Sequence, residues 1–420
     1  MINLNEKIHT LDNGIVLLTE HIPNSYTLAI RICFKFGSRY EPVEKKGIAH
    51  FLEHMLFKGT SRRTSKDIVE EVDLVGGDIN AFTGRENTVY TLTILNEHLE
   101  LGLDILSDIL INSTFPLEEI EKERQVILQE IAQYVDEPEE FLFDSFFEST
   151  FKNQPLGHNI LGTIETVNNI HKEDLLKFVN EFYVADNVII SIAGDLSKYN
   201  TPKLVNKFFA SMPSNPKDKS FIKSSFTPSF LSLKRELEQS HYIVGYKGVG
   251  SLDEDYYNLQ LISIILGGGM SSRLFQEIRE KQALAYSIGS YTYNYSDTGL
   301  IIISASTIHE KIPQLNDGII NVIKSMSEIQ DKELEKAKKQ YTASLKMAYD
   351  SITSRANFLL NQYLKENKVV TIEELLKKID NIRLVDLYQT FERIFTKPEI
   401  SLGILGETFE NTLYEAHKNI

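Results

Sequence analysis

Apolar and polar positions alternate along YTLAIRICFKFGS (26–38), which predicts a half-buried strand ending at Gly37. The period then changes to a helical one over Gly47–Phe57, with a stop near Gly59. Ser65 is placed as the N-cap of a helix over Lys66–Val75. Gly76-Gly77 breaks the chain, and Asp78–Thr83 and Thr88–Thr93 read as two further strands. Helices follow over Glu97–Ile111, Leu117–Gln133 and Glu139–Phe147. Strands and helices in mixed order, without strict alternation, imply an α+β fold: a mostly antiparallel sheet with helices packed on one face.

The pattern occurs twice. IHKEDLLKFVNEFYVADNVIISIAGDL begins at Ile170 and IRLVDLYQTFERIFTKPEISLGILGET at Ile382. A shift of 212 residues, without a gap, matches Ile170 to Ile382, Asp174 to Asp386, Leu175 to Leu387 and Gly194 to Gly406. In each copy an amphipathic helix leads into an apolar run that ends at glycine. Two similar domains from duplication are therefore expected, 1–212 and 233–420. The Pro-, Ser- and Lys-rich stretch 213–232 is the expected linker.

Composition narrows the function. The 420 residues carry 44 Lys+Arg against 59 Asp+Glu, a net charge of −15. That balance argues against nucleic acid and anionic membrane as partners. No apolar run reaches the length of a membrane span, and the N-terminus lacks the basic and apolar regions of a secretory signal. One cysteine, Cys33, excludes an internal disulfide. Residues 101–150 hold thirteen acids against Lys122 and Arg124, a local net of −11. Such a block is either a solvated helix face or a surface that attracts cations and basic substrates.

Candidate chemistry lies in GIAHFLEHMLFKGT. On a helix, His50 and His54 are four apart and share a face. Two imidazoles so placed can grip one Zn²⁺, although a His pair on a helix is more often core or surface. Glu53 borders the same face, where a carboxylate can take a proton from water at the metal. The order is H-x-x-E-H, the inverted zinc-peptidase pattern. A catalytic zinc takes a third protein ligand, and the helix EIEKERQVILQEIAQY offers Glu123 and Glu130, seven apart on one face. Val126, Ile127 and Leu128 read as that helix's buried stripe, carrying Glu130 near the core. In the second half, Gly267–Gly269 lacks the Lys-Ser/Thr of a phosphate loop and reads as a tight turn or a close backbone approach.

With these residues quoted, the chain resembles the insulinase/pitrilysin inverzincins, in particular the β-type subunits of mitochondrial processing peptidase and their bacterial relatives. In that family a glutamate ligand follows the motif by about 76 residues, with another important glutamate seven before it. His54 plus 76 is Glu130, and seven before that is Glu123. The resemblance covers essentially the whole chain. It implies a zinc metalloendopeptidase with one Zn²⁺ per chain held by His50, His54 and Glu130. Glu53 is then the general base, and Glu123 supports the metal site from behind.

The resemblance extends to substrate. Asn80, Ala81 and Phe82 match the family's edge strand that pairs with an extended peptide, and Phe57 matches a residue lining the pocket after the cut. Glu140 and Asp144 match a pair that binds an Arg two residues before the cut. Arg279 and Tyr286 match an Arg and a Tyr, seven apart, that reach the scissile peptide and hold its oxyanion. With two domains rather than four, the resemblance implies a homodimer in which Arg279 and Tyr286 of one protomer complete the zinc site of the other. Its clam-like halves would favour short or unfolded, basic peptides. A non-catalytic or heterodimeric subunit of the same fold is the alternative. A bacterial cytoplasm is the expected compartment, with a mitochondrial matrix as the second choice.

Overall fold

The computed structural model describes residues 6–215 and 222–418. In chain order the first elements are β1 (Glu6–Thr10), β2 (Val16–His21), β3 (Thr27–Phe34), α1 (Ile48–Leu56), α2 (Ser65–Asp73), β4 (Asp78–Thr83), β5 (Thr88–Leu95), α3 (Leu99–Ile111), α4 (Leu117–Asp136), α5 (Pro138–Thr150), α6 (Ile164–Asn168), α7 (Lys172–Phe182), β6 (Val188–Gly194) and α8 (Thr201–Phe209). Then follow β7 (Ser229–Lys234), β8 (Ser240–Lys247), α9 (Tyr256–Gly267), β9 (Ser287–Asn294), β10 (Gly299–Thr307), α10 (Ile312–Ser325), α11 (Asp331–Tyr349), α12 (Ile352–Glu366), α13 (Ile372–Asp380), α14 (Leu384–Phe395), β11 (Ile400–Gly406) and α15 (Thr412–His417). Of the expected linker 213–232, residues 216–221 lie outside the described residues. No helix among the described residues is long and apolar enough to cross a membrane.

Two compact units result, each assembled from separate stretches. The first comprises Met1–Gln133, His158–Phe221 and Lys346–Val370; the second comprises Tyr134–Gly157, Ile222–Leu345 and Thr371–Ile420. Helix α5 thus belongs to the second unit and α12 to the first.

The first unit's sheet runs β1-β2-β6-β3-β5-β4, antiparallel except for β2–β6. Its middle strand β3 is buried on both faces, not half-buried as its alternation predicts. Leu28, Ile30, Ile32 and Phe34 point into the core shared with α1, α3 and α7. Ala29 and Cys33 point the other way and meet Ala356, Leu359 and Leu360 of α12. Arg31, the polar residue of that alternation, is satisfied there: its Nε donates to Asn357 Oδ1 at 2.9 Å. A distant helix has covered the face that the pattern marks as outward. Helix α2 begins at Ser65 itself, one residue before the expected start. Its N-cap is Thr64, which exchanges hydrogen bonds with Asp67 in a capping box.

The second sheet runs β7-β11-β8-β10-β9, with only β7–β11 parallel. Helices α9, α10 and α14 cover one face. Leu142, Phe146 and Phe147 of α5 cover the other, against Ile243, Ile302 and Leu405. Two glycines permit this approach: a Cβ at Gly245 would meet Phe146 Cζ at 2.6 Å, and one at Gly403 would meet Leu142 Cδ1 at 3.2 Å. The duplication is visible in the backbone. Gly194 and Gly406 end β6 and β11 with φ of 151° and 143°, where L side chains rarely settle, and lie against the starts of the neighbouring strands, at Leu28 of β3 and Ser240 of β8.

Gly245→Val is expected to overpack the α5 contact and lower stability by about 1–3 kcal/mol. A urea midpoint equal to wild type would contradict the close approach of Phe146.

Candidate metal centre

Helix α1 buries Ile48, Ala49, Phe51, Leu52, Met55 and Leu56, so His50, Glu53 and His54 share the remaining, half-buried face. Its N-terminus follows Gly47, whose φ of 90° suits glycine. The cap comes from far back in the chain: buried Glu41 accepts the N–H of Gly47 at 2.9 Å and of Ala49 at 2.8 Å. Burial pushes that carboxyl up to about 8, against the pull of those two hydrogen bonds.

The carboxylates arrive on α4, and not through the stripe expected of it. Ile120, Ile127 and Ile131 face inward together with Glu123 and Arg124, while Val126 is exposed and Leu128 half-buried. Arg124 sets this rotation. Its guanidinium donates to the carbonyls of Val167 and, at 2.8 Å, Ile170, and lies 5.4 Å from the Phe51 ring centroid. Glu130 is consequently not near the core; its side chain is 37% exposed, at the edge of the histidine pair. His50 Nε2 lies 3.1 Å and His54 Nε2 3.8 Å from Glu130 Oε2. One ligand atom from each of His50, His54 and Glu130 falls within 4.8 Å of the others.

Glu123 is buried behind this group. His54 Nδ1 donates to its Oε2 at 2.9 Å, and Lys58 Nζ donates to Oε1 at 2.7 Å. With the proton on Nδ1, His54 presents its Nε2 lone pair toward Glu130. Burial disfavours charge on His50, yet hydrogen bonds donated by its ring to Glu130 and Glu53 outweigh it and raise its pKa to about 9. The hydrogen bond from His50 in turn pulls Glu130 below the usual carboxylate range. The cluster thus draws positive charge to itself, even in the form of a proton. Two imidazole nitrogens, one carboxylate oxygen and an outer carboxylate fit Zn²⁺.

Glu53 sits beside them. Its Oε2 accepts the Thr83 hydroxyl and lies 3.9 Å from His50 Nδ1. Beneath, the hydroxyls of Tyr90 and Tyr183 meet at 2.7 Å; burial, with the Glu53 charge adding to it, keeps both protonated. Thr83 ends β4, an edge strand that among the described residues pairs with β5 alone. On it Ala81 N–H donates to Asn80 Oδ1 at 2.8 Å, and Phe82 is 53% exposed. Phe57 is half-buried, its ring 6.2 Å from that of Tyr90.

The remaining candidates gather in the second unit. Glu140, Asp144, Arg279 and Tyr286 line one cavity of about 780 Å³, with Tyr134 and Tyr293 in its wall. The guanidinium of Arg279 lies 4.6 Å from the Phe275 ring centroid and 5.3 Å from that of Tyr286. Much of the acidic block is paired elsewhere: Asp104 and Asp108 hold Arg62 and Arg63, and Glu118 and Glu119 hold Lys122. Glu41, Lys58, Thr83 and Arg124 escape sequence reading. Only Lys58, one turn after His54, carries a spacing that points to the site.

Two histidines and two carboxylates, beside a half-exposed edge strand on a duplicated α+β scaffold, make up a candidate metallopeptidase-type centre. Residues 16–164 match the family described as Insulinase (Peptidase family M16), and residues 169–341 match the Peptidase M16 inactive domain. An uncharacterized zinc protease of Rickettsia bellii (strain RML369-C) is 41% identical over 402 residues, covering 95% of this chain and 97% of that protein. The uncharacterized zinc protease YmxG of Bacillus subtilis (strain 168) is 36% identical over 393 residues, covering 93% and 96%. The crystal structure of a protease from Helicobacter pylori superposes with a TM-score of 0.89 at 23% identity, covering 96% of this chain and 99% of that one, which shows the shared fold. The chain belongs to the insulinase family of peptidases, M16. It is a metalloprotease whose cofactor is zinc.

Glu123→Ala is expected to weaken zinc binding by about 10–100-fold while the fold is kept, because His54 loses its orienting partner. Chelator competition measures this; unchanged affinity would contradict that role.

Proposed function

We propose that the protein is an endopeptidase for short or unfolded peptides, with His50, His54 and Glu130 as zinc ligands and Glu53 as general base. The observation that carries this reading is the convergence of two imidazoles and a carboxylate from separate helices, with Glu53 in hydrogen-bonding range of Thr83 alongside. When bound, zinc supplies Lewis acidity that polarises a carbonyl oxygen and acidifies water. Glu53 takes the proton of the attacking water and returns it to the leaving amine nitrogen. The Thr83 hydroxyl orients Glu53 through Oε2, and Glu123 orients His54 through Nδ1.

Substrate lies extended against Asn80, Ala81 and Phe82, whose strand has an open edge for backbone pairing. Phe57 lines the pocket for the side chain after the cut. Glu140 and Asp144, one helical turn apart on α5 and lining one cavity, take the guanidinium of an Arg in a basic, presequence-like peptide. Arg279 and Tyr286 donate to the developing oxyanion. The active form is a homodimer in which these two residues act at the partner's zinc site. Its source is a bacterial cell, as the organisms of the relatives support, and its compartment there is the cytoplasm.

Glu53→Gln is expected to retain one zinc per chain and to lose cleavage of a fluorogenic peptide by about 10²–10⁴-fold. Near-wild-type turnover in that variant would remove Glu53 from the reaction. Replacing Glu140 and Asp144 together by Asn is expected to slow cleavage of Arg-containing peptides far more than of their Ala-substituted versions. Equal losses on both would reject the guanidinium site.

A further inference from the structure

The stretch 275–286, which carries Arg279 and Tyr286, holds two costly conformations. Phe275–Lys281 is π-helical, a rare form that inserts an extra residue per turn. Ala283 then has a φ of 50°, the left-handed region that disfavours a side chain with no polar atom to compensate. Arg279 lies inside the first feature, and Tyr286 follows the second by three residues.

The surroundings clamp this turn. The carbonyl of Ala283 accepts Lys311 Nζ at 2.9 Å, and the next carbonyl, Leu284, accepts the Thr307 hydroxyl. Leu284 N–H closes back onto Ile278 O at 2.9 Å. Buried Ile278 anchors the stretch from below against Gly318 of α10. Two side chains from the junction of β10 and α10 therefore hold two successive carbonyls of a backbone turn that the residues themselves do not favour. Downstream of that grip, the Tyr286 ring meets the Arg279 guanidinium in the cavity wall.

We propose that Lys311 and Thr307 are positioning residues: they hold the Ala283 turn so that Arg279 and Tyr286 are presented to substrate as one unit. This rests on the oxyanion role proposed for that pair. A clamp of this kind acts on the reacting geometry, so it affects turnover more than binding.

The experiment is a double-mutant cycle on the zinc-loaded enzyme. Lys311→Met and Thr307→Val, singly and together, are compared with wild type and repeated in an Arg279→Ala/Tyr286→Phe background. The expected result is a fall in kcat of about tenfold for the combined variant with KM within about twofold. Zinc content and thermal midpoint stay near wild type, and Lys311→Arg or Thr307→Ser restores turnover. In the Arg279→Ala/Tyr286→Phe background the same changes are expected to be silent, because both groups they position are gone. Should Arg279→Ala and Tyr286→Phe leave kcat unchanged, the oxyanion role itself fails, and the clamp with it. Should those two lower kcat while the Lys311 and Thr307 variants do not, only the clamp is overturned. A loss equal in both backgrounds, or one that tracks with lost zinc or a lowered thermal midpoint, overturns it as well.

Discussion

Burial of Arg124 beneath α1 is the interaction on which the candidate metal centre depends. Its guanidinium reaches the carbonyls of Val167 and Ile170, and Glu121 supplies two further hydrogen bonds, at 3.1 and 3.0 Å. A buried charge with its donors satisfied fixes the rotation of α4 more tightly than apolar contacts do, since any slip leaves donors unpaired. Glu123 and Glu130 are seven residues apart and share nearly one direction on the helix. One rotation therefore settles both: Glu123 behind His54, Glu130 at the edge of the imidazole pair.

The duplicated scaffold shows what that face of the helix becomes where the candidate ligands are absent. At the 212-residue shift, His50, Glu53 and His54 correspond to Ile262, Ile265 and Leu266 on α9, and these are 0%, 6% and 1% exposed in the second core. The equivalent glycines, Gly194 and Gly406, keep the same backbone conformation in both units. The duplication has thus kept the strand ends and the sheet order. It has traded a polar, half-exposed helix face in one unit for a fully apolar one in the other.

Which features were legible in the sequence follows from the range of the forces involved. Strands β4 and β5 and helices α3, α4 and α5 announce themselves through local period, and the histidine pair through a spacing of one turn. The joining of Glu130 to that pair is not written in any period; family spacing indicated it, and the structure supplies the geometry. The inward face of α4 was misread because Val126, Ile127 and Leu128 are apolar in a row, whereas the helix turns on Arg124. The full burial of β3 was likewise out of reach, since its second cover, α12, lies more than three hundred residues away. Thr83 and Glu41 are single polar residues in unremarked positions, and only tertiary contact gives them a role.

Exchange of α5 and α12 between the units ties the two halves of the chain together. Each sheet has one apolar face that its own half leaves bare: Leu18, Cys33, Val89 and Ile189 in the first, Ile243, Leu300, Ile302 and Leu405 in the second. Either half alone would expose a patch that solvent does not tolerate, so the halves stabilise one another reciprocally. The exchange also shapes the chemistry. Helix α4, which carries Glu130, ends at Asp136, and α5, which carries Glu140 and Asp144, begins at Pro138. The acidic wall of the second unit's cavity is therefore contributed by the half of the chain that builds the candidate metal centre, and Arg279 and Tyr286 by the other half. A cavity made jointly in this way forms only when both halves are folded, which couples the acidic residues proposed to select substrate to the integrity of the whole chain.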